Sequence, residues 1–348
     1  MPWVTYKLKR AIKKKYYLYN LLRRGLINKS RYNTYRKILN VTCDKMRRLY
    51  YYKLFLNARS SKESWRAVNS FLDRNSSNSP SNIVSDNGRV LRGVDLCEYF
   101  NEYFSNIGGE IAKIFPYAIN FEFFGGLKSI ANSCVMVPSC PEEVQSLINA
   151  MKNKGNSLYD IKGNLLKKVG DVLAPILSYL FNKCLFAGVY PTELKTARVI
   201  PVFKSGSHSS VHNYRPISNL SVFNKIFEKL THNRLNSFIE SNQLLSIYQH
   251  GFRKLSNTTV ASFRIINDFL LTLNKKNVTI ALFLDLKKAF DTIDRDILLY
   301  KLQFYGFRGI INRFLSSYLS GRKQFVNVSS FQSDCANIDI GVPQGSVL

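Results

Sequence analysis

The sequence predicts an α+β or mixed α/β fold, and three observations point there. Helical and extended patterns alternate along the chain, hairpin signals bound its second half, and no internal repeat interrupts the alternation. With 348 residues and 45% hydrophobic content, the chain is long enough for two or three domains with cores of their own.

Charge narrows the partners. Lys and Arg outnumber Asp and Glu by 50 to 23, a net charge of +27. That excess calls for a polyanion, either nucleic acid or an anionic membrane surface. The 24 Phe and 20 Tyr favour nucleic acid, because flat rings stack on bases, although most of them must fill cores. No run of about 18 apolar residues is present, and the basic amino terminus has no apolar signal core. The expectation is an intracellular protein without a membrane span. None of the six cysteines forms a C-x-x-C pair, and His208, His212, His232 and His250 lack metal-ligand spacing. Free thiols in a reducing compartment are therefore expected, rather than disulfides or zinc.

Residues 1–74 read as a basic helical region. The first 66 residues hold 19 Lys or Arg against only Asp44 and Glu63. Leu8-Lys9-Arg10-Ala11-Ile12-Lys13-Lys14-Lys15 opens a helix that should stop near Gly25, and a second helix runs from about Ser30 to Asn57. A third starts at Ser60, where Ser60 and Glu63 have capping-box spacing and Trp65, Val68, Phe71 and Leu72 give one apolar face. Basic helices with interleaved tyrosines suit a surface that tracks phosphates, with Lys9, Arg10, Lys13, Lys14 and Lys15 as candidate contacts. A solvated basic linker is the alternative.

Residues 75–140 read as a linker, a hairpin and a helix. Asn75 to Asn82 is linker by composition, and Ile83-Val84-Ser85 and Arg89-Val90-Leu91 flank Asp86-Asn87-Gly88 as a hairpin. A helix over about Asp95 to Ile107, with Leu96, Phe100, Tyr103 and Ile107 on one face, should end at Gly108-Gly109. Residues 111–138 are aromatic and irregular.

Residues 141–277 are more regular. Pro141 opens a helix with the stripe Val144, Leu147, Ile148 and Met151, and another covers about Asp171 to Phe186 until Gly188 and Pro191 stop it. Val199 to Lys204 reads as a strand in which Pro201 suggests an edge or bulge. A turn at Gly206 to Ser210 leads to a short extended piece, Asn213 to Ser218. Helices come next over Ser221 to about Ser241 and Thr258 to about Asn274, the latter aligning Phe263, Ile266, Leu270 and Leu273.

Residues 278–348 open with an apolar run, Ile280-Ala281-Leu282-Phe283-Leu284, that reads as a buried strand with Asp285 at its carboxyl end. A carboxylate delivered by a buried strand needs a strong partner, and a divalent metal is the simplest one. Taken alone, Asp285 reads rather as a cap for the next helix, and its company shifts that weighting. Two short helices, a hairpin of Lys323 to Ser329 with Cys335 to Ile340, and a terminal Gly341-Val342-Pro343-Gln344-Gly345-Ser346 turn complete the region. Lys204 on its strand and Arg215 in a turn add cations to Asp285 and the glycine-flanked turn. Phosphoryl transfer needs metal-binding carboxylates, cations for the leaving pyrophosphate and a surface that positions a base pair.

Those residues also carry a resemblance. LFLDLKKAFDTIDRDILLYKL resembles the first catalytic block of the reverse transcriptases of non-LTR retrotransposons, the LINE class and its jockey-like branch. VIPVFKSG, NYRPISNLS, IFEKL, YQHGFRKLSNTTVA, SSYLSGRKQFVNV and GVPQGSVL keep that family's order and spacing, over about Pro141 to Leu348. WRAVNSFLDR and EYFNEYFSNIG more loosely resemble the segment that precedes the polymerase in such elements. The resemblance implies a right-hand polymerase fold, with residues 141–277 as fingers and 278–348 as a partial palm. It implies RNA-directed DNA synthesis with Mg²⁺ or Mn²⁺, an RNA template, a DNA primer or target and dNTPs as partners, and a location in nucleus and cytoplasm.

By the same resemblance Asp285 is the first metal-binding carboxylate, and the Leu286 backbone carbonyl helps hold the second ion. Phe290 is the steric gate against a ribose 2′-hydroxyl, a role compatible with core packing. Lys204 and Arg215 grip the triphosphate, and Gln344 sits against nucleotide and template. Gly251-Phe252-Arg253 is the template-contacting turn. Asp291 and Asp294 read as capping or structural residues. The family's Asp-Asp hairpin lies beyond the Pro-Gln-Gly turn, so this sequence is expected to be a truncated copy that holds metal poorly and polymerises little. A non-catalytic nucleic-acid-binding remnant is the alternative. A nuclease built on Asp285, Asp291 and Asp294 is disfavoured, since helical spacing scatters those carboxylates. Lys154 to Asp160 departs from the family's Pro-Gly-x-Asp-Gly turn.

Overall fold

The computed structural model describes residues 2–72, 80, 82–114, 129–151, 161 and 163–348. Most of the expected linker at 75–82, residues 115–128 of the irregular aromatic stretch, and the whole of the Lys154 to Asp160 loop lie outside the described residues. The chain divides into two compact units, Met1–Ser77 and Asn78–Leu348.

The first unit holds helices α1 (Tyr6–Arg23), α2 (Lys29–Leu56) and α3 (Ser61–Phe71). Thr5 caps α1 by accepting from the Leu8 amide, and Gly25 ends it at φ +73°. Leu8, Leu18 and Leu39 are buried, and Tyr35 Oη donates to the Ala11 carbonyl at 3.1 Å. At the start of α3, Ser60 Oγ accepts from the Glu63 amide while Glu63 accepts from the Arg59 amide at 2.8 Å, a capping box displaced by one residue. The apolar face expected on α3 does not pack as a whole. Trp65 is 65% exposed, whereas Ala67 is fully buried and Phe71 meets Tyr51 edge-on at 5.0 Å. An 11-residue helix docked through Tyr51 buries only the side turned to it.

The second unit begins with β1 (Ile83–Val84), β2 (Val90–Leu91), α4 (Gly93–Ile114), α5 (Pro141–Ala150), α6 (Gly163–Lys168) and α7 (Gly170–Ala187). It continues with β3 (Thr196–Phe203), β4 (Tyr214–Asn219), α8 (Val222–Ser241), α9 (Thr258–Asn274), α10 (Arg295–Phe304) and α11 (Ile310–Leu319). Last come β5 (Arg322–Val328), β6 (Phe331–Gln332) and β7 (Ala336–Ile338). The class is α+β. In the main sheet β3 pairs antiparallel with β4 and parallel with β5, and β5 pairs antiparallel with β6 and β7. Pro201 faces Pro216 and lies beyond Val199, the last β3 residue paired with β5, so its missing N–H falls where β3 has become an edge on that side.

Two cores hold this unit. In one, Leu96, Phe100 and Phe104 of α4 meet Val199, Tyr214 and Val326 of the sheet. The other gathers α5, α7, α8 and α11, with Phe181 stacked on Phe227 at 4.3 Å and Tyr190 on the far side of that pair. Burying one such side chain contributes roughly 1.5–3 kcal/mol.

Four local expectations change. Helix α4 does not stop at Gly108-Gly109 but continues to Ile114. A Cβ on Gly108 would lie 2.2 Å from the Asp291 carbonyl oxygen, so this glycine permits close backbone approach rather than ending a helix. Residues 280–284 do not form a strand, and Ile280, Phe283 and Leu284 are 93%, 81% and 82% exposed. A strand exists only as a member of a ladder, and no described strand pairs with this run. The α9 stripe is exposed too: Phe263, Ile266, Leu270 and Leu273 all stand in solvent. Arg215 lies on β4 opposite Val202 rather than in a turn, and Lys204 comes just after the last residue of β3.

Candidate functional site

The β3–β4 hairpin sets two cations side by side. The Lys204 amide donates to the Asn213 carbonyl at 2.8 Å, closing the loop, and Gly206 takes φ +91° in its turn, as only glycine readily does. Lys204 and Arg215 both keep their side chains exposed.

The Pro343-Gln344-Gly345 turn is fastened from three sides. The Ser218 amide on β4 donates to the Gln344 carbonyl at 2.8 Å, and the Val342 amide donates to the Phe290 carbonyl at 2.9 Å. Glu228 of α8 accepts from the Val347 amide and from Tyr318 Oη, both at 2.8 Å. Burial pushes the Glu228 carboxyl above its ordinary range against these donors. Gly341, at φ +82°, has the Phe290 and Asp291 carbonyl oxygens where a side chain would begin.

These elements enclose a cleft of about 450 Å³ whose walls include Lys204, Arg215, Asp285, Leu286, Phe290 and Gln344. The cleft therefore collects six of the residues singled out from sequence. Sequence reasoning missed His212, Tyr214, Lys287 and Lys288 on the same walls, and it read Asp291 as structural although Asp291 also lines the cleft. It also missed Tyr103 of α4, whose hydroxyl meets Lys288 Nζ at 2.7 Å and His212 Nδ1 at 2.9 Å. The Lys288 ammonium stands 4.3 Å from the Tyr103 ring centroid. Burial, then the nearby Asp291, pushes the Tyr103 hydroxyl up to about 12, so it stays protonated. Burial lowers the Lys288 ammonium and raises the Asp291 carboxyl. The only advance sign of Tyr103 was its place on the α4 stripe, which reads as core. Asp294 caps α10, accepting from the Ile297 amide at 2.9 Å.

Other candidates stand elsewhere. Phe252 is 96% exposed, holds φ +58°, and sets its ring edge-on to Phe290 at 6.1 Å. Arg253 donates to the Ser246 carbonyl at 3.1 Å, and Gly251 has open space around it. Lys9, Arg10, Lys13 and Lys14 are exposed in the first unit, where Lys15 is half-buried and stands 4.5 Å over the Tyr16 ring.

Asp285 and the Leu286 carbonyl are oxygen donors, the type a hard divalent cation takes. Among the described residues no group of three His, Cys, Asp or Glu gathers in one place. The described donors thus do not complete a two-metal set. No described helix is long and apolar enough to cross a membrane.

Residues 203–348 match the family described as Reverse transcriptase (RNA-dependent DNA polymerase). The chain is 33% identical over 211 residues to the RNA-directed DNA polymerase from mobile element jockey of Drosophila melanogaster, covering 60% of this chain and 23% of that protein. It is 29% identical over 246 residues to the probable RNA-directed DNA polymerase from transposon BS of the same fly, covering 67% and 26%. The chain spans about a quarter of the length of these curated relatives. Every wall residue of the cleft named above falls inside the matched segment: residues 203–348 are a reverse-transcriptase domain, and the chain is similar over about 60% of its length to jockey-like RNA-directed DNA polymerases of mobile elements.

Proposed function

We propose that this chain binds a primed RNA template with a deoxynucleoside triphosphate and serves the templated addition of that nucleotide to a primer 3′ end. The observation behind the proposal is the convergence of Lys204, Arg215, Asp285, Leu286, Phe290 and Gln344 on one cleft, although they are spread over the domain's sequence. Lys204 as a point charge and Arg215 as a planar fork hold the triphosphate. Asp285 and the Leu286 carbonyl contribute oxygen donors to a divalent ion, Mg²⁺ or Mn²⁺. Bound there, that ion would neutralise charge on the phosphates. Phe290 packs beneath the sugar and rejects a 2′-hydroxyl by shape. Gln344 faces the base pair on its anchored turn, and the Gly251-Phe252-Arg253 turn meets the template.

In this reading the β3–β4 hairpin belongs to the fingers of a right-hand polymerase and residues 278–348 to its palm. The first unit, with its cations and exposed tyrosines, tracks the nucleic-acid backbone. The test is binding of a fluorescent dNTP to the chain on primed RNA with Mg²⁺, beside primer extension by the chain and by any longer product that contains it. Saturable binding that favours dTTP over UTP supports the proposal. Arg215→Ala should weaken that binding roughly 10- to 100-fold, the loss expected for a charged hydrogen-bond partner. A cleft that binds no nucleotide overturns it.

A further inference from the structure

We infer that Arg295 and Arg322 form a buried site for one small inorganic anion behind the Gly341–Ser346 turn. Arg322 opens β5 and is only 2% exposed. Its Nη1 donates to the Tyr318 carbonyl at 3.1 Å and its guanidinium lies 4.8 Å from the Tyr318 ring centroid. Arg295 opens α10, donating from Nε to the Gly341 carbonyl and from Nη1 to the Ile338 carbonyl, both at 2.9 Å. Arg295 is thus held through Nε and Nη1, and Arg322 through Nη1. Each also keeps one Nη2 that is closed to solvent and has no hydrogen-bond partner among the described residues.

Both arginines line the same small cavity, about 30 Å³, which also touches Ser218, Asp291 and Gln344. That volume suits one or two water-sized occupants. Charge decides which occupant is favoured. The enclosed Arg322 and the partly buried Arg295 both line the cavity, and Arg322 adds to burial in lowering the Arg295 pKa. Lys195, 7% exposed, adds a third cation near Arg322. The carboxylates in reach do not cancel them. Asp291 lines the cavity, but the cation that acts on it is Lys288. Asp339 acts on Arg295, and Glu228 on Arg322, at longer range than an ion pair. Buried charge without a close partner is costly, and a guanidinium N–H is a strong donor to a halide or an oxyanion. An anion between the two Nη2 atoms joins α10, β5 and the turn that carries Gln344.

Crystals of the chain grown or soaked in bromide test it, with a phosphate soak as the second arm. An anomalous bromide peak, or phosphate density, within hydrogen-bond reach of both Nη2 atoms is the expected result. In solution, Tm is followed in sodium chloride and in sodium gluconate at equal ionic strength. The wild type should show a saturable chloride-specific rise that Arg295→Met lacks. Arg322 is fully enclosed and its loss threatens folding, so Arg295→Met and Arg295→Lys carry the test. Ordered water in place of either anion, or an equal chloride effect in wild type and Arg295→Met, overturns the site.

Discussion

Lys288 Nζ donates to Tyr103 Oη at 2.7 Å, joining the loop after Asp285 to a helix 185 positions earlier. The same hydroxyl meets His212 Nδ1 at 2.9 Å, so three elements share one oxygen. Since Tyr103 stays protonated, it can give its hydrogen to a neutral His212 while accepting from Lys288. The wall of the cleft therefore depends on α4, which lies outside the matched segment of residues 203–348.

Tyr103→Phe keeps the ring over Lys288 and removes only the shared oxygen. Loss of one such bond costs about 1 kcal/mol, and dNTP affinity should fall about fivefold while the fold persists. Titration calorimetry with Lys288→Met and the double variant measures the coupling. Additive losses would show that the two side chains act separately.

Gly108 and Gly109 are neighbours in α4 with opposite surroundings. Gly109→Ala meets nothing closer than Ile340 at 4.0 Å, so it should gain up to about 1 kcal/mol from helix propensity. Gly108→Ala drives a methyl into the Asp291 carbonyl and should lose roughly 1–3 kcal/mol. Urea midpoints of the two variants decide it, and equal shifts would contradict the close approach.

Glu228 makes the turn sensitive to pH. Burial raises its folded pKa above the ordinary 4.5, so its favourable contribution is complete below that value and is lost as pH rises through the folded pKa. Glu228→Gln removes the titration. The stability of wild type minus that of the variant should therefore shrink from pH 4.5 upward. Hydrogen exchange at the Val347 amide, which Glu228 accepts from, should quicken in the variant while the α8 core stays protected.

The first unit should supply most of the salt-dependent affinity. Its first 66 residues hold 19 Lys or Arg and two acids, and each phosphate neutralised adds to the slope of log K against log salt. Deleting residues 1–77 should flatten that slope for RNA, measured by fluorescence anisotropy between low and moderate salt. An unchanged slope would place the phosphate contacts in the second unit.

Chymotrypsin should cut first within Val278–Leu286. Leu282, Phe283 and Leu284 are each more than 80% exposed on backbone without a ladder. Mass spectrometry of early fragments checks this, and protection there would mean that another surface covers the run.

Sequence alone determined what local rules control. Caps at Ser60, Ser221 and Asp294, the stop at Gly188, the β3–β4 and β5–β7 pairings, and the basic character of the first unit all arise from spacing and side-chain chemistry within a few residues. The candidate site was legible as a set of residue types in a recognisable order, because Lys204, Arg215, Asp285, Phe290 and Gln344 each sit in a distinctive short motif. Tertiary structure decided the rest. Ile280 to Leu284 has a strand's composition, yet a strand needs a neighbour, and no described strand pairs with it. Gly108 looked like a helix end and is instead a crossing point, a distinction that only the Asp291 backbone makes. Tyr103, Lys288 and His212, like Arg295 and Arg322, come together only in the folded chain. No periodicity in a single chain records those distances.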